Sequence, residues 1–177
     1  MLHIGHNASN LGSMEGQIER APSIEDVRSR APVMNESELD YGLLGDLAGF
    51  SIKLAWIIGY SLLQKTIKDS AITPLRLSML ELVGRNPGKQ QNQLGAALGL
   101  SRSAATLAID FWDERGCVER RVSPDDRRSF GIYLTAAGEQ EVERLRRLVR
   151  QSDEALTSNL TAPEVGQLRA LLAKIHG

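Results

Sequence analysis

Residues 101–106 place three hydroxyl side chains and one guanidinium at the beginning of a predicted helix. Ser101 is a good N-cap, and Arg102, Ser103 and Thr106 follow on the side of the helix away from its apolar residues. Hydroxyl groups bond to phosphate oxygens or to either type of base, and arginine forms two hydrogen bonds to guanine or holds a phosphate. A helix that begins with such groups fits the major groove of duplex DNA. We therefore predict that these four residues contact DNA, with guanine reading and phosphate binding both open for Arg102.

A second group of charges lies between two short predicted strands, Cys117–Val122 and Phe130–Leu134. The connecting segment holds Asp126, Arg127 and Arg128 and contains a proline that favours a type I turn. Arginine is favoured in a narrow minor groove because the negative potential is concentrated there. A hairpin with such a tip is often only a solvated charged loop, so a DNA contact by the two arginines depends on the elements around them.

Residues that typically begin and end helices show which predicted elements carry these two groups of candidate DNA contacts. Thr73 and the proline after it open one helix. Gly99 closes a short helix over about 90–98, and Gly116 ends the helix that Ser101 caps. Two further helices follow the hairpin, each beginning after a threonine. Helix, helix, short turn, helix and hairpin form the layout of a winged helix-turn-helix.

The segment from Tyr41 to about Lys68 predicts a long helix that is apolar nearly all round. A helix without a clear polar face is buried on more than one side. In a chain of 177 residues the expected cover is a second subunit. Residues 1–40 show no sustained periodicity, and we expect a largely flexible arm there.

A resemblance to a known family rests on four short motifs. They lie at the turn between the two predicted helices around Gly99, just after the helix that Ser101 caps, and in and after the hairpin. They are Leu94–Ser103 (LGAALGLSRS), Glu114–Arg120 (ERGCVER), Asp126–Arg128 (DRR) and Leu134–Gly138 (LTAAG). With them the chain resembles, over about 42–177, the MarR family of multiple-antibiotic-resistance-type regulators. The resemblance implies a mainly α fold with a two-stranded hairpin wing, which dimerises and binds a pseudo-palindromic operator. Such proteins are usually repressors relieved by a small molecule or an oxidant.

Together with the arm predicted from composition, the resemblance divides the chain into four parts, and it also implies roles for single residues. The parts are a flexible arm over 1–40, a dimerisation helix over 41–72, a winged helix-turn-helix DNA-binding domain over 73–135 and C-terminal dimerisation helices over 136–177. Arg128 takes the place of the minor-groove arginine, and Asp126 that of the residue that braces the wing. Leu107 departs from the family, which often has a basic or polar residue there; contact with thymine methyl groups and no role both stay open. Gly95 stands where alanine is usual and is expected to soften its helix.

In relatives the effector pocket lies between the dimerisation helices and the winged lobe. The residues of this chain expected to border it are Trp56, Tyr60, Ser61, Lys65 and Arg76. Apolar lining with a cation suits an aromatic acid or its coenzyme A thioester. A core role for Trp56 and Tyr60, and a plain surface position for Lys65, remain the alternatives.

Composition limits the other classes of protein. The net charge is −1, which combines −4 over residues 1–40 with +3 over the remainder, so charge alone does not point to DNA. The sequence begins without a secretory signal and lacks a membrane-length apolar run, so we expect a cytoplasmic protein with no membrane partner. Its three histidines, His3, His6 and His176, lie outside any motif, so neither an enzyme nor a metal or other cofactor is predicted.

Two alternatives stay open. The first is a dimeric module that binds a small ligand or a protein and has a weak or vestigial DNA lobe, because the basic excess is slight. The second is an oxidant sensor that works through Cys117, the single cysteine of the chain. A buried structural thiol is the preferred interpretation of Cys117, since the chain has no second cysteine to resolve an oxidised one.

Overall fold

The computed structural model describes residues 40–122 and 130–176. Over these ranges the chain is mainly helical with one antiparallel hairpin, which confirms the predicted fold class. A 3-10 turn at Gly42–Asp46 comes first, followed by α1 (Ala48–Ile67), α2 (Pro74–Arg85), α3 (Gln91–Ala97), α4 (Arg102–Glu114), β1 (Val118–Val122), β2 (Phe130–Leu134), α5 (Ala136–Leu156) and α6 (Ala162–His176).

The first long helix is shorter than its apolar pattern predicts. Leu47 is extended, with φ −95° and ψ 116°, and separates the 3-10 turn from α1. The predicted beginning at Tyr41 is therefore wrong by about two turns. The predicted end is confirmed, because Lys68 adopts a left-handed φ of 58° and donates its N–H to the Gln64 carbonyl.

Side-chain caps fix the beginnings of the helices that carry the candidate site. Thr73 accepts the N–H of Arg76 at 3.3 Å, and Ser101 accepts the N–H of Ala104 at 3.2 Å. Each of these contacts satisfies a backbone donor that the first helical turn leaves unpaired. The predicted caps are confirmed, and they set the direction in which α2 and α4 leave their turns.

One apolar core joins α2, α3, α4, the hairpin and α5. Trp112 is fully buried at its centre, and its indole N–H donates to the Arg76 carbonyl at 2.7 Å. That bond satisfies the polar atom of a ring that is otherwise surrounded by hydrocarbon. The core also contains Ile72, Met79, Leu80, Val83, Leu94, Ala105, Ala108, Ile109, Val118, Ile132, Val142 and Leu145. The lobe therefore has a complete core of its own.

Two glycines allow backbone to approach other groups closely in this lobe. A Cβ at Gly95 would lie 2.6 Å from the Ala105 Cβ, so α3 packs directly on α4. A Cβ at Gly138 would lie 1.9 Å from the Cys117 carbonyl oxygen, so α5 begins against the residue that directly precedes β1. Gly95 is thus needed for helix packing, a role that its cost in helix propensity did not indicate.

The hairpin pairs Val118 with Leu134 at its base and Val122 with Phe130 near its tip. The strand β2 also bonds to the turn before α3: Gly88 donates to the Ile132 carbonyl at 2.8 Å. These bonds attach the hairpin to the helix-turn-helix and fix its position beside α4.

The outer helices α1 and α6 keep much apolar surface open. Trp56 is 62% exposed on α1, and Leu171 and Ile175 are 51% and 69% exposed on α6. Along the two described stretches, no helix is both long and apolar enough to cross a membrane.

Candidate DNA interface and ligand cleft

The beginning of α4 presents the first predicted site to solvent. Ser101, Arg102 and Ser103 are all exposed there. The hydroxyl oxygens of Ser101 and Ser103 are 3.1 Å apart, within hydrogen-bond distance of each other. Since Ser101 also caps the helix, its hydroxyl has a structural role whether or not it touches a ligand. Arg102 has no ion-pair partner among the described residues, so its guanidinium is available for a phosphate or a guanine.

Thr106 lies one turn further along α4 and is already bonded within the protein. Its hydroxyl donates to the Arg102 carbonyl at 3.0 Å and accepts from Gln91 Nε2 at 2.6 Å. The single hydroxyl proton is therefore directed inward, and one lone pair remains for an outside donor. Gln91 ties α3 to α4 through this bond, a positioning role that no sequence motif indicated.

Arg120 links the hairpin to the outer side of α4. Its guanidinium pairs with both Asp110 and Asp113, which lie three residues apart on the helix. One arginine thus offsets the negative charge of two carboxylates on this side of α4. The sequence shows that the two aspartates are at helical spacing. It does not show that Arg120, on β1, reaches from the hairpin to both of them.

The wing residues Asp126, Arg127 and Arg128 lie in the segment 123–129, outside the described residues. The paired strands on either side of that segment are described, and both Val122 and Phe130 are exposed. The predicted roles of the three residues remain predictions.

A cleft of about 680 Å³ lies between α1, α5 and α6. Trp56 and Tyr60 stand on one wall with stacked rings, 5.6 Å between centroids and 9° between planes. The rest of the lining is largely aliphatic and comes from Ile52, Ala55, Leu63, Val149, Leu156, Val165, Leu168 and Leu172. A flat apolar molecule fits such a wall.

Besides Tyr60, the polar residues that line this cleft are Ser51, Ser152, Asp153, Thr157 and Arg169. Ser152 is only 6% exposed, yet its hydroxyl has no hydrogen-bond partner in the described part of the chain. Asp153 and Arg169 also line the cleft, and neither forms an ion pair with another described residue. The Ser152 hydroxyl and the two charged side chains can form hydrogen bonds or an ion pair with a ligand, so this cleft suits a molecule with a polar end.

The structure brings only part of the predicted pocket set together. Trp56 and Tyr60 line the cleft, whereas Ser61, Lys65 and Arg76 are not among its lining residues. Arg76 instead lies against α4, with its guanidinium carbon 4.0 Å from the centre of the Phe111 ring. It also donates to the Ala71 carbonyl at 2.7 Å. The sequence prediction missed the polar groups of α5 and α6, because helical periodicity does not show which helices border one cleft.

Cys117 is buried, as the structural interpretation predicts. Burial raises the pKa of its thiol, the Glu141 carboxylate raises it further, and Arg115 lowers it. The thiol is therefore neutral at neutral pH and is a poor nucleophile. Among the described residues no cluster of three or more metal-ligating side chains occurs.

An exposed helix beginning with serine and arginine, packed on a second helix and flanked by a hairpin, defines a winged helix-turn-helix DNA-binding protein. Residues 72–129 match the sequence model of the MarR family. The fold also matches a solved structure of the repressor CouR bound to a 23-mer DNA duplex, with TM-score 0.74 and 31% identity over 80% of this chain and 100% of that chain. The chain belongs to the MarR family of transcriptional regulators.

Other relatives are regulators as well. A candidate transcriptional regulatory protein for the hcr operon of Thauera aromatica is 28% identical over 141 residues, 79% of this chain and 85% of that protein. The transcriptional repressor MprA of Escherichia coli is 33% identical over 90 residues, 51% of each chain. CouR bound to p-coumaroyl-CoA matches with TM-score 0.70 and 28% identity, over 78% of this chain and 98% of that chain.

Proposed function

We propose that this chain is a cytoplasmic repressor that binds a pseudo-palindromic operator as a homodimer and is released by an aromatic acid or its coenzyme A thioester. The observation that carries the proposal is the open beginning of α4, where Arg102 and two serines stand free of any covering element. The similarity to CouR, whose structure contains duplex DNA, supports the same use of this surface. Regulation rather than catalysis is proposed, because the relatives above are named as regulators or repressors.

The exposed apolar surface of the outer helices supports the proposed homodimer. Leu171 and Ile175 leave apolar surface on α6 without cover, and Leu43, Leu44 and Leu47 do so just before α1. A second copy would bury both faces and place two α4 helices on one side of the assembly. Half-sites one helical turn apart, about 34–36 Å, would then accept the two helices in successive major grooves.

The wing and the helix together supply the DNA contacts of each subunit. Ser101, Arg102 and Ser103 enter the major groove, and Arg127 and Arg128 of the wing hold the adjacent minor groove, with Asp126 as the brace. Thr106 contributes mainly by holding Arg102 and α3 in place. Two subunits of this kind make on the order of six to ten phosphate contacts, so affinity should fall steeply with salt.

The effector is proposed to occupy the cleft between α1, α5 and α6. Its ring lies on Trp56 and Tyr60, its acid group meets Arg169, and a hydroxyl or carbonyl of the effector bonds to the Ser152 hydroxyl. CouR bound to p-coumaroyl-CoA supports an aromatic thioester as a candidate. Ser61, Lys65 and Arg76 remain predicted contacts only if the second subunit brings them to the ligand.

Fluorescence anisotropy with DNA from upstream of the chain's own gene tests the DNA part of the proposal. We expect nanomolar binding at low salt, and at least tenfold weaker binding for Arg128→Ala with an unchanged dimer. Absence of binding at any salt would contradict the proposal and favour a ligand-binding or protein-binding module with a vestigial DNA lobe.

A thermal-shift screen tests the effector part. Benzoic, cinnamic and hydroxycinnamic acids and their coenzyme A thioesters are the probes, followed by anisotropy to see which of them release DNA. Ser152→Ala should weaken the best probe, whereas Ser158→Ala, outside the cleft lining, should not. Release by peroxide alone, through Cys117, would contradict a small-molecule effector and favour an oxidant sensor.

A further inference from the structure

Leu107 is an exposed apolar side chain on the DNA-facing side of α4. It is 66% exposed and follows Ser103 by one helical turn, so the two side chains share a face. The opposite face of α4 forms the core through Ala105, Ala108, Ile109 and Trp112. Leu107 therefore points toward the surface that would meet DNA and adds nothing to the buried core.

The polar neighbours of Leu107 are already engaged. Thr106 directs its hydroxyl proton to the Arg102 carbonyl, and Asp110 is paired with Arg120. The second turn of α4 thus offers few free hydrogen-bond donors to a base edge. What it offers outward is the branched hydrocarbon end of Leu107.

One group in the major groove matches such a side chain. Thymine carries a C5-methyl group there, whereas cytosine presents an amino donor and has no methyl. Contact between leucine and that methyl removes apolar surface of both partners from water. A cytosine at the same place would have its amino group against hydrocarbon, without an acceptor.

We propose that Leu107 contacts a thymine C5-methyl group in each half-site and makes thymine the preferred base at that position. The proposal rests on the proposed DNA binding and adds a position of the operator that Arg102 and the serines do not read. Leu107 is then a specificity residue that acts by shape and hydrocarbon contact, since it has no hydrogen-bonding group.

Replacement of thymine by deoxyuridine tests this contact, because it removes the methyl group and leaves base pairing intact. Footprinting with the full chain first defines the bound site. Symmetry-related thymine pairs are then replaced one pair at a time, and affinity is measured by anisotropy. We expect one pair at which wild-type affinity falls roughly tenfold, since two methyl contacts are lost per duplex.

The Leu107→Ala variant, measured on the same two duplexes, completes a double-mutant cycle between the side chain and the methyl group. Leu107→Ala should bind the thymine duplex roughly tenfold more weakly than wild type does. The variant should bind the thymine duplex and the deoxyuridine duplex with the same affinity. Leu160→Ala, an exposed leucine in the turn after α5, is the matched control and should retain the wild-type thymine preference. Since Leu107 is exposed, circular dichroism should show both variants folded.

Two outcomes would overturn the proposal, and they are distinguishable from failure of DNA binding itself. In the first, wild-type protein binds its site but does not respond to any deoxyuridine replacement. In the second, Leu107→Ala retains the full thymine preference. If wild-type protein does not bind DNA at low salt, the proposed function fails first and Leu107 with it.

Discussion

The winged lobe and the outer helices of this chain bury their apolar residues to very different degrees. In the lobe, Trp112, Met79 and Ile109 are fully buried within a single subunit. On α1 and α6, Trp56, Leu171 and other large apolar side chains remain exposed. The lobe core is therefore complete in one chain, whereas the outer helices keep apolar surface that the proposed second copy would cover.

The two regions therefore depend on different contacts for their stability, and they also have different proposed functions. The helix α4, whose first residues are proposed to contact DNA, packs on the core of the lobe within one chain. Its position therefore does not depend on a second subunit. In the proposed homodimer, α1 and α6 would set the distance between the two copies of α4, so a ligand bound at those helices would alter that distance without unfolding the lobe. Changes in the two regions should accordingly have different signatures in unfolding, dimerisation and DNA binding.

The two tryptophans of the chain offer the largest expected contrast. Trp112→Ala should reduce the free energy of unfolding by about 3–5 kcal/mol, because it leaves a cavity and removes the donor to the Arg76 carbonyl. Trp56→Ala, at a largely exposed position, is the matched control. Urea denaturation monitored by circular dichroism, at a protein concentration low enough to dissociate the dimer, measures both. Equal losses would contradict the division into a complete lobe and an incomplete interface.

A charge on α6 should break the dimer while the lobe stays folded. Leu171→Glu introduces a carboxylate where an apolar partner surface is expected, and we expect the dimer dissociation constant to rise at least tenfold. Ala173→Glu places the same charge on the opposite, exposed side of α6 and should have little effect. Sedimentation velocity over a concentration series measures the dissociation constant. A dimer unaffected by Leu171→Glu would remove α6 from the interface.

The brace between hairpin and helix gives a smaller, electrostatic test. Arg120→Ala leaves Asp110 and Asp113 without their partner, and we expect DNA affinity to fall about fivefold at low salt because two carboxylates then face the phosphates. Adding Asp110→Asn should restore part of the loss. Arg144→Ala, which breaks a pair with Glu141 on α5, should leave DNA affinity unchanged. A loss that persists with both aspartates neutralised would show that Arg120 contacts DNA itself.

The smallest expected effect is the pH dependence contributed by Cys117. Because burial raises the pKa of its thiol, the folded chain holds that proton to higher pH than the unfolded chain does. The resulting stability is fully present below the unfolded pKa of about 8.5 and is lost as pH rises through the folded pKa. Unfolding free energies at several pH values from 7 to 10 should therefore fall more for wild type than for Cys117→Ala. Identical pH profiles would contradict this role for burial.

Local features of the fold were predictable because short-range chemistry determines them. Thr73 and Ser101 cap their helices through contacts three residues away, and Gly99 and Gly116 adopt the left-handed φ that their turns require. The same local rules do not reveal that Gly95 faces Ala105, since that contact depends on how two helices pack.

The candidate site was predictable only where it lies on one element. Ser101, Arg102 and Ser103 are neighbours in sequence, and the structure exposes all three. The Arg120 bridge to α4 and the joining of Trp56 with Ser152 in one cleft involve separate elements. Apolar periodicity gives the faces of helices but not their partners, so these groupings required the structure.

The mass of the protein–DNA complex in solution tests the central claim, that two lobes of one homodimer grip one operator. Multi-angle light scattering should compare a full pseudo-palindromic duplex with a duplex that holds a single half-site. We expect two chains of 19.4 kDa on the full duplex and much weaker binding to the half-site duplex. One chain per full duplex, with equal affinity for the half-site, would contradict it.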